Sequence, residues 1–152
     1  KMGMVLLMVI GGSPGSTAGG MKTTTAAVLF AMAISVFRKN EQAHLYNRRI
    51  AEETQRNAAT IFVLYMMLFT GSAMVISYVE KVPLVTAFFE TGSAIGTVGL
   101  SLGLTPTLCL ASRLILICLM FFGRVGGLTL IFATVSGKRT EYKYPQEKIT
   151  VG

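Results

Sequence analysis

A glycine-rich segment near the start of the chain, "GGSPGSTAGGMKTTT" at residues 11–25, has the composition of a phosphate-binding loop. Its Gly15 and Gly20 stand as far apart as the two glycines of the motif GxxxxGKS or GxxxxGKT. However, Met21 occupies the position at which that motif requires lysine, and Lys22 comes one residue late. A break in a membrane helix is the second interpretation, because glycine permits non-helical dihedrals and Pro14 lacks a backbone donor. The apolar runs on both sides favour this second interpretation.

A second candidate site is the sequence "IGTVGLS" at residues 95–101. Its Thr97-Val98-Gly99 resembles the start of the selectivity filter of potassium channels, in which backbone carbonyl oxygens replace the water shell of the ion. Glycine is needed there because a Cβ obstructs the dihedrals that turn successive carbonyls the same way. Thr-Val-Gly alone is a weak signal, but after a short re-entrant helix and between two spans it predicts a filter of Gly96, Thr97, Val98, Gly99 and Leu100, with potassium held by the backbone of Thr97, Val98 and Gly99. An ordinary extracellular loop is the alternative.

Two arginines interrupt the last apolar run, residues 108–135. Arg124 lies near its centre, where a cation costs about 2.5–3.5 kcal/mol, so it should face the protein interior and have a partner. The carbonyls and hydroxyls of the glycine-rich segment suit its planar guanidinium, and a structural pairing elsewhere is the alternative. Arg113, near the outer end, is expected to extend to the interface. Two roles stay open for Glu90: hydrogen bonding behind the filter, and attraction of cations.

The other residues of chemical interest have no partners in the sequence. His44 is the sole histidine and is expected to be solvated. Cys109 and Cys118 lack the spacing of a metal site and read as small hydrophobic residues. We therefore expect a protein that is not an enzyme.

The composition favours a lipid environment. Hydrophobic residues make up 52% of the chain and charged residues 14%, against roughly 25% charged in soluble domains. The net charge of +7 is divided between two polar segments that flank apolar ones. Because these segments have almost no interleaved aromatic residues, we expect no nucleic-acid partner.

Hydropathy and charge predict the membrane segments. Residues 57–79 carry no charge and can cross a hydrocarbon core of about 30 Å, and residues 108–135 form a second span. Residues 2–37 would form a single helix of roughly 54 Å, too long for one crossing, so a broken helix fits better than a signal peptide. The positive-inside rule places the basic segments 38–56 and 136–152 in the cytoplasm. We also expect a helix over 41–56, supported by the pair Glu52 and Arg56.

Residues 82–103, between the two spans, are too apolar for an exposed loop and too short to cross and return as two helices. A re-entrant segment solves both problems: a short helix from Pro83 to about Ile95 enters the membrane, and "GTVGLS" returns extended. The predicted fold class is therefore an all-α membrane protein with a potassium-channel-like span–pore-loop–span repeat (57–80, 82–103, 108–135). A broken membrane helix (1–37, interrupted at 11–22) precedes that repeat.

Three motifs, "IGGSPGSTAGGMKTTT", "FFETGSAIGTVGLSLGLTP" and "LMFFGRVGGLTLIFA", occur in this order, and the chain ends in "KYPQEKITVG". Together they resemble the membrane subunit of Ktr-type bacterial potassium uptake systems, in the Trk/Ktr/HKT superfamily. The resemblance implies four span–pore–span repeats in one polypeptide. This chain corresponds to the end of the third repeat and all of the fourth, so it starts as a fragment at Lys1 and holds one quarter of a filter.

The resemblance also implies roles for residues and partners. The glycine-rich segment is implied to be a gate that partly obstructs the pore, with Arg124 as its partner. Apart from the resemblance, we expect Lys22 at the inner end of this segment to discourage cations while the gate is shut. The resemblance further implies a homodimer in the lipid of the bacterial cell membrane, bound to a cytoplasmic nucleotide-binding regulatory ring. Potassium is the implied transported ion, and sodium the implied coupling or activating ion. A Trk-type subunit is the close alternative, and a P-loop nucleotide-binding protein the distant one. The gate residues are Gly11, Gly12, Ser13, Pro14, Gly15, Ser16, Thr17, Ala18, Gly19, Gly20 and Lys22.

Overall fold

A computed structural model describes residues 2–38, 44–45 and 48–126. Apart from one pair of very short strands, these residues form helices and their connections. In chain order the elements are α1 (Met2–Ile10), α2 (Thr23–Phe37), β1 (His44–Leu45), β2 (Arg48–Arg49), α3 (Glu52–Glu80), α4 (Leu84–Ile95), a 3-10 turn (Thr105–Thr107) and α5 (Leu110–Val125).

The short helix α4 is the centre of the fold. It packs against α1, α3 and α5, and every residue from Phe89 to Ile95 is buried. Pro83 precedes its first turn, where a missing N–H costs nothing, and Gly96 ends it. A helix buried on so many sides must be rich in small and apolar residues, and the segment "ETGSAI" at its end supplies them.

The longest helix, α3, covers α4 with one face. Its buried residues recur every three to four positions, as expected for one stripe of a helix. They are Ala58, Ile61, Tyr65, Phe69, Ala73 and Ile76. Large apolar side chains on its other faces are exposed, among them Met67, Met74 and Tyr78. Among the described helices, α3 is the one that is long and apolar enough to cross a membrane.

The broken helix at the start of the chain is two helices, α1 and α2, joined by residues 11–22. The short helix expected from Pro83 to about Ile95 is α4. The last predicted span is described as far as Gly126, the residue after α5. The remainder of that span and the tail 136–152 lie outside the described residues.

The expected helix over 41–56 is confirmed for residues 52–56 and wrong for residues 44–45 and 48–49. Residues 44–45 pair antiparallel with residues 48–49, and α3 begins only at Glu52. The pair Glu52 and Arg56 lies wholly within the first turns of α3, so its spacing carried no information about residues 41–51. Residues 39–43 and 46–47 lie outside the described residues.

Candidate functional site

The segment 11–22, hereafter the glycine loop, leaves α1 at Gly11, whose φ of 66° ends the helix. Two backbone bonds close the base of the loop. The Met21 N–H donates to the Val9 carbonyl at 3.2 Å, and the Thr23 N–H donates to the Gly12 carbonyl at 3.1 Å. The end of α1 and the start of α2 are therefore neighbours, and the residues between them project as a compact loop.

The segment 96–100, hereafter the filter segment, begins where α4 ends. The Thr97 N–H donates to the Ala94 carbonyl at 3.1 Å, and the Val98 N–H donates to the Ser93 carbonyl at 2.9 Å. Thr97 has a φ of 51° and Gly99 a φ of 81°, whereas Val98 between them lies outside the positive region. This alternation turns successive peptide units in a way that regular strands and helices do not. For a β-branched residue such as Thr97, a positive φ is a strained conformation that its surroundings must hold.

The glycine loop is bonded directly to the filter segment. The Gly19 N–H donates to the Gly96 carbonyl at 3.2 Å and to Thr97 Oγ1 at 2.8 Å. The next residue, Gly20, donates its N–H to the Gly123 carbonyl of α5 at 3.2 Å. These bonds satisfy carbonyl groups at the ends of α4 and α5 that have no partner within their helices. The loop is therefore seated on the filter segment and α5 together.

Two cationic side chains donate to adjacent carbonyls of the glycine loop. The Arg124 guanidinium donates to the Thr17 carbonyl, and Lys22 Nζ donates to the Ala18 carbonyl at 2.6 Å. Arg124 therefore connects α5 to the loop, while Lys22 folds back from the start of α2. Arg113, at the other end of α5, donates to the Pro106 carbonyl at 2.8 Å.

Glu90 lies behind the filter segment and is 3% exposed. Its Oε1 accepts from the Ser101 hydroxyl at 2.7 Å and from the Leu102 N–H at 2.9 Å. Its Oε2 accepts from the Thr105 hydroxyl at 2.8 Å. Both carboxyl oxygens are thus bonded to the chain that follows the filter segment.

The filter segment and the glycine loop share the wall of one cavity of about 360 Å³ with α1. Its lining consists of Met4, Leu7, Met8, Gly11, Gly12, Ala18, Gly96, Val98 and Leu100. Among the residues described, no group of three metal-ligating side chains occurs. Of the groups that the lining residues carry, backbone carbonyls suit a hard cation such as potassium, whereas the thioethers of Met4 and Met8 do not.

The sequence analysis missed several residues that shape this site. Met4, Leu7 and Met8 on α1 line the cavity, and a Cβ on Gly123 would overlap the Ile95 carbonyl. Gly123 is a small residue within an apolar helix, a pattern typical of close helix–helix contact, so a signal for it was present. No sequence pattern signals the bond from Gly19 to Thr97.

The phosphate-loop interpretation is wrong. A P-loop connects a strand to a helix, whereas the glycine loop follows the helix α1. In addition, Lys22 is bonded to a carbonyl of its own loop and does not point to an anion site.

Comparison with known proteins gives a match to the family described as "TrkH: Cation transport protein" over residues 1–142. The chain is 41% identical over 155 aligned positions to the potassium/sodium uptake protein NtpJ of Enterococcus hirae, covering 97% of this chain and 34% of that protein. It is 34% identical to the Ktr system potassium uptake protein B of Bacillus subtilis, covering 97% of this chain and 33% of that protein. The corresponding Ktr protein of Vibrio alginolyticus is 33% identical, with coverage of 98% and 33%. The chain thus spans about a third of the length of these relatives.

Proposed function

The chain belongs to the TrkH family of cation transport proteins, and from that membership we propose that it is part of a potassium-conducting pore in the bacterial cell membrane. In this proposal α3, α4 and α5 form one span–pore-loop–span repeat, α1 and α2 are the broken helix of the preceding repeat, and three further repeats complete the pore. Residues 38–56 and 136–152 lie on the cytoplasmic side.

The filter segment selects the ion. Its backbone carbonyls, together with those of the other repeats, replace the water shell of potassium. The alternation of φ at Thr97, Val98 and Gly99 supports this role, because it turns peptide units out of the regular pattern. The carboxyl end of α4, which carries partial negative charge, lies next to the segment and favours a cation there.

The glycine loop gates the pore directly beneath the filter segment. It closes when it is seated on Gly96, Thr97 and Gly123 and held by Arg124, and it opens when these bonds break. Lys22 places a positive charge beside the closed loop, which discourages cations from entering. The bonds are few and involve mostly backbone groups, so the closed and open states differ by a modest free energy, as a gate requires.

The transported ion is potassium, as the names of the relatives suggest. Sodium, which the name of NtpJ includes, acts in this proposal as a coupling or activating ion. The similarity to two proteins named for Ktr systems favours a Ktr-type subunit over a Trk-type subunit. The resemblance to the Ktr type extends the proposal to a homodimer that is surrounded by lipid and docks on a cytoplasmic nucleotide-binding regulatory ring.

The observation that carries the proposal is the pair of bonds from Gly19 to the filter segment. The test is potassium uptake by the full-length protein in cells that lack their own uptake systems, comparing the native protein with Gly99→Ser and Arg124→Ala. A serine at a φ of 81° is strained by about 1–2 kcal/mol, so potassium affinity and discrimination against sodium should fall about tenfold. Arg124→Ala should change the transport rate and preserve discrimination.

Protein in the membrane is quantified in parallel, so that a change in abundance is not mistaken for a change in transport. If both variants reach the membrane and transport potassium as the native protein does, neither the filter nor the gate lies where we place it. If the native protein transports no potassium, the proposal as a whole is wrong.

A further inference from the structure

The chain that follows the filter segment, residues 101–105, hereafter the outer segment, is held mainly by hydrogen bonds that involve side chains. All of its residues except Leu104 are exposed. A cavity of about 430 Å³ lies between it and α5, lined among others by Glu90, Ser101, Leu116 and Met120. Packing holds the outer segment at Leu104, which lies against the hydrophobic core, and fixes its other four residues little.

One buried carboxyl group does fix it. Glu90 Oε1 and Oε2 together accept from the Ser101 hydroxyl, the Leu102 N–H and the Thr105 hydroxyl. Ser101 Oγ in turn accepts from the Gly103 N–H at 2.9 Å. Four of the five residues of the outer segment are thus connected to Glu90: Ser101, Leu102 and Thr105 directly, and Gly103 through the Ser101 hydroxyl.

This anchor completes the support of the filter segment. At its near end, the Val98 N–H is bonded to Ser93, and Thr97 is bonded to α4 and to the glycine loop. Beyond Val98, the segment is open: no atom lies within 4 Å of the position of a Cβ on Gly99, and Leu100 is 46% exposed. The next group that is bonded to α4 is Ser101, through Glu90.

We infer that Glu90 is a positioning residue for ion discrimination: it fixes the far end of the filter segment through Ser101, Leu102 and Thr105, and it does not act by attracting cations. This inference rests on the proposed function. Direct binding of a cation requires free carboxyl oxygens that the ion can reach, whereas Glu90 is 3% exposed and its oxygens accept three hydrogen bonds. A segment freed at that end would adopt carbonyl spacings that fit sodium as well as potassium.

The two roles separate in the variant Glu90→Gln. A glutamine oxygen can accept from Ser101 and Leu102, and its amide can donate to Thr105 Oγ1, whose hydroxyl then donates to Ser101 Oγ, 3.1 Å away. Every position in the network stays bonded while the charge is lost. Glu90→Ala removes both the network and the charge. The double variant Ser101→Ala with Thr105→Val removes two donors and keeps the carboxyl group.

The experiment measures initial rates of potassium uptake against potassium concentration, with and without competing sodium, for the full-length protein in cells lacking their own uptake systems. Glu80→Gln is the matched control. It removes a carboxyl group at the end of α3. There Glu80 Oε1 accepts from the Cys109 N–H at 2.9 Å, a bond that does not involve the filter segment. The readouts are KM for potassium and the potassium-to-sodium ratio, which the amount of protein does not change.

We expect Glu90→Ala and the double variant each to raise KM and lower the potassium-to-sodium ratio about tenfold, the equivalent of one hydrogen bond to a charged group. Glu90→Gln should stay within about twofold of the native protein, since its hydrogen bonds are replaced, and Glu80→Gln should match the native protein. If Glu90→Ala fails to reach the membrane, the double variant decides, because it leaves α4 intact.

Two results would overturn the inference. If Glu90→Gln loses as much affinity as Glu90→Ala while the double variant behaves as native, the charge matters and the anchor does not. If the double variant and Glu90→Ala both discriminate as the native protein does, the outer segment has no part in selectivity. Absence of uptake by the native protein would instead count against the proposed function.

Discussion

The two sides of the carboxyl end of α4 use glycine for different reasons. Where the glycine loop meets the filter segment and α5 there is no room for a side chain. A Cβ on Gly19 would lie 2.7 Å from a Thr97 side-chain carbon, and one on Gly96 or Gly123 would overlap a backbone carbonyl. On the side of the outer segment the space is open, since no atom lies within 4 Å of a Cβ on Gly99 or Gly103, yet both have positive φ values of 81° and 90°.

This difference separates two kinds of constraint. Where the chain is crowded, a larger residue changes how elements pack, so its effect should appear in stability and in the seating of the loop. Where the chain is open, a larger residue changes only the dihedrals that it can adopt, so its effect should appear in the path of the backbone. The crowded side is the contact between the proposed gate and the start of the filter segment, and the open side comprises the far end of the filter segment and the outer segment.

The largest effect on stability is expected at Gly123, on the crowded side. Gly123→Ala places a methyl group against the Ile95 carbonyl and forces α5 away from α4, which should cost about 3 kcal/mol, toward the upper end of overpacking. Thermal unfolding of the purified full-length protein in detergent measures the loss. The matched control is Gly71→Ala within α3, where a Cβ meets nothing within 4 Å. Equal unfolding temperatures for the two variants would contradict this prediction, because crowding at Gly123 would then have no effect on stability.

A smaller but specific effect is expected at Gly19. Gly19→Ala brings a methyl group within 2.8 Å of Thr97 Oγ1 and 3.0 Å of the Gly123 carbonyl, so the loop must shift and its bonds to the filter segment weaken. Loss of about 1–1.5 kcal/mol from the closed state would raise the rate of potassium uptake about tenfold. The uptake rate per membrane-inserted protein is the measurement, and Gly3→Ala on α1, with open space around its Cβ, is the control.

Gly19→Ala should keep the potassium-to-sodium ratio of the native protein, because it disturbs the seating of the loop and leaves the far end of the filter segment unchanged. A rate equal to that of Gly3→Ala would show that the loop does not obstruct the pore. A lost ratio at a native rate would assign Gly19 to selectivity and not to gating.

The sequence was informative wherever local chemistry decides structure. Glycine and Pro14 at residues 11–22 interrupt a helix by their own dihedrals, and Pro83 and Gly96 delimit a helix whose apolar content requires burial. The expectation for the connector was wrong because the i, i+4 spacing of Glu52 and Arg56, which lie in α3, was extended to residues that pair as strands. The correct predictions thus rest on dihedral preferences that act within one or two residues, and the wrong one extended a contact between neighbouring turns to residues outside the helix.

Long-range hydrogen bonds could not be predicted in this way. Gly19 and Thr97 are 78 residues apart, and Glu90 meets the outer segment 11 to 15 residues later across a change of chain direction. No periodicity of 2 or 3.6 residues encodes such a contact. The sequence therefore left the role of Glu90 open, and three-dimensional geometry was needed to connect it to the outer segment.

The smallest expected effect concerns the bond from the Gly19 N–H to Thr97 Oγ1, which joins the glycine loop to the filter segment. Thr97→Val keeps the volume of the side chain and removes the hydroxyl that accepts from Gly19, whereas Thr97→Ser keeps the hydroxyl. Because the Gly19 N–H also donates to the Gly96 carbonyl, losing the hydroxyl should release the loop only partly and raise the uptake rate about threefold, less than the loss of a full hydrogen bond. Thr97→Ser should show the native rate, and the same uptake assay measures both variants. If the two variants have the same uptake rate, the Gly96 carbonyl alone seats the loop. The backbone dihedral of Thr97 would then matter and its hydroxyl would not, as on the open side.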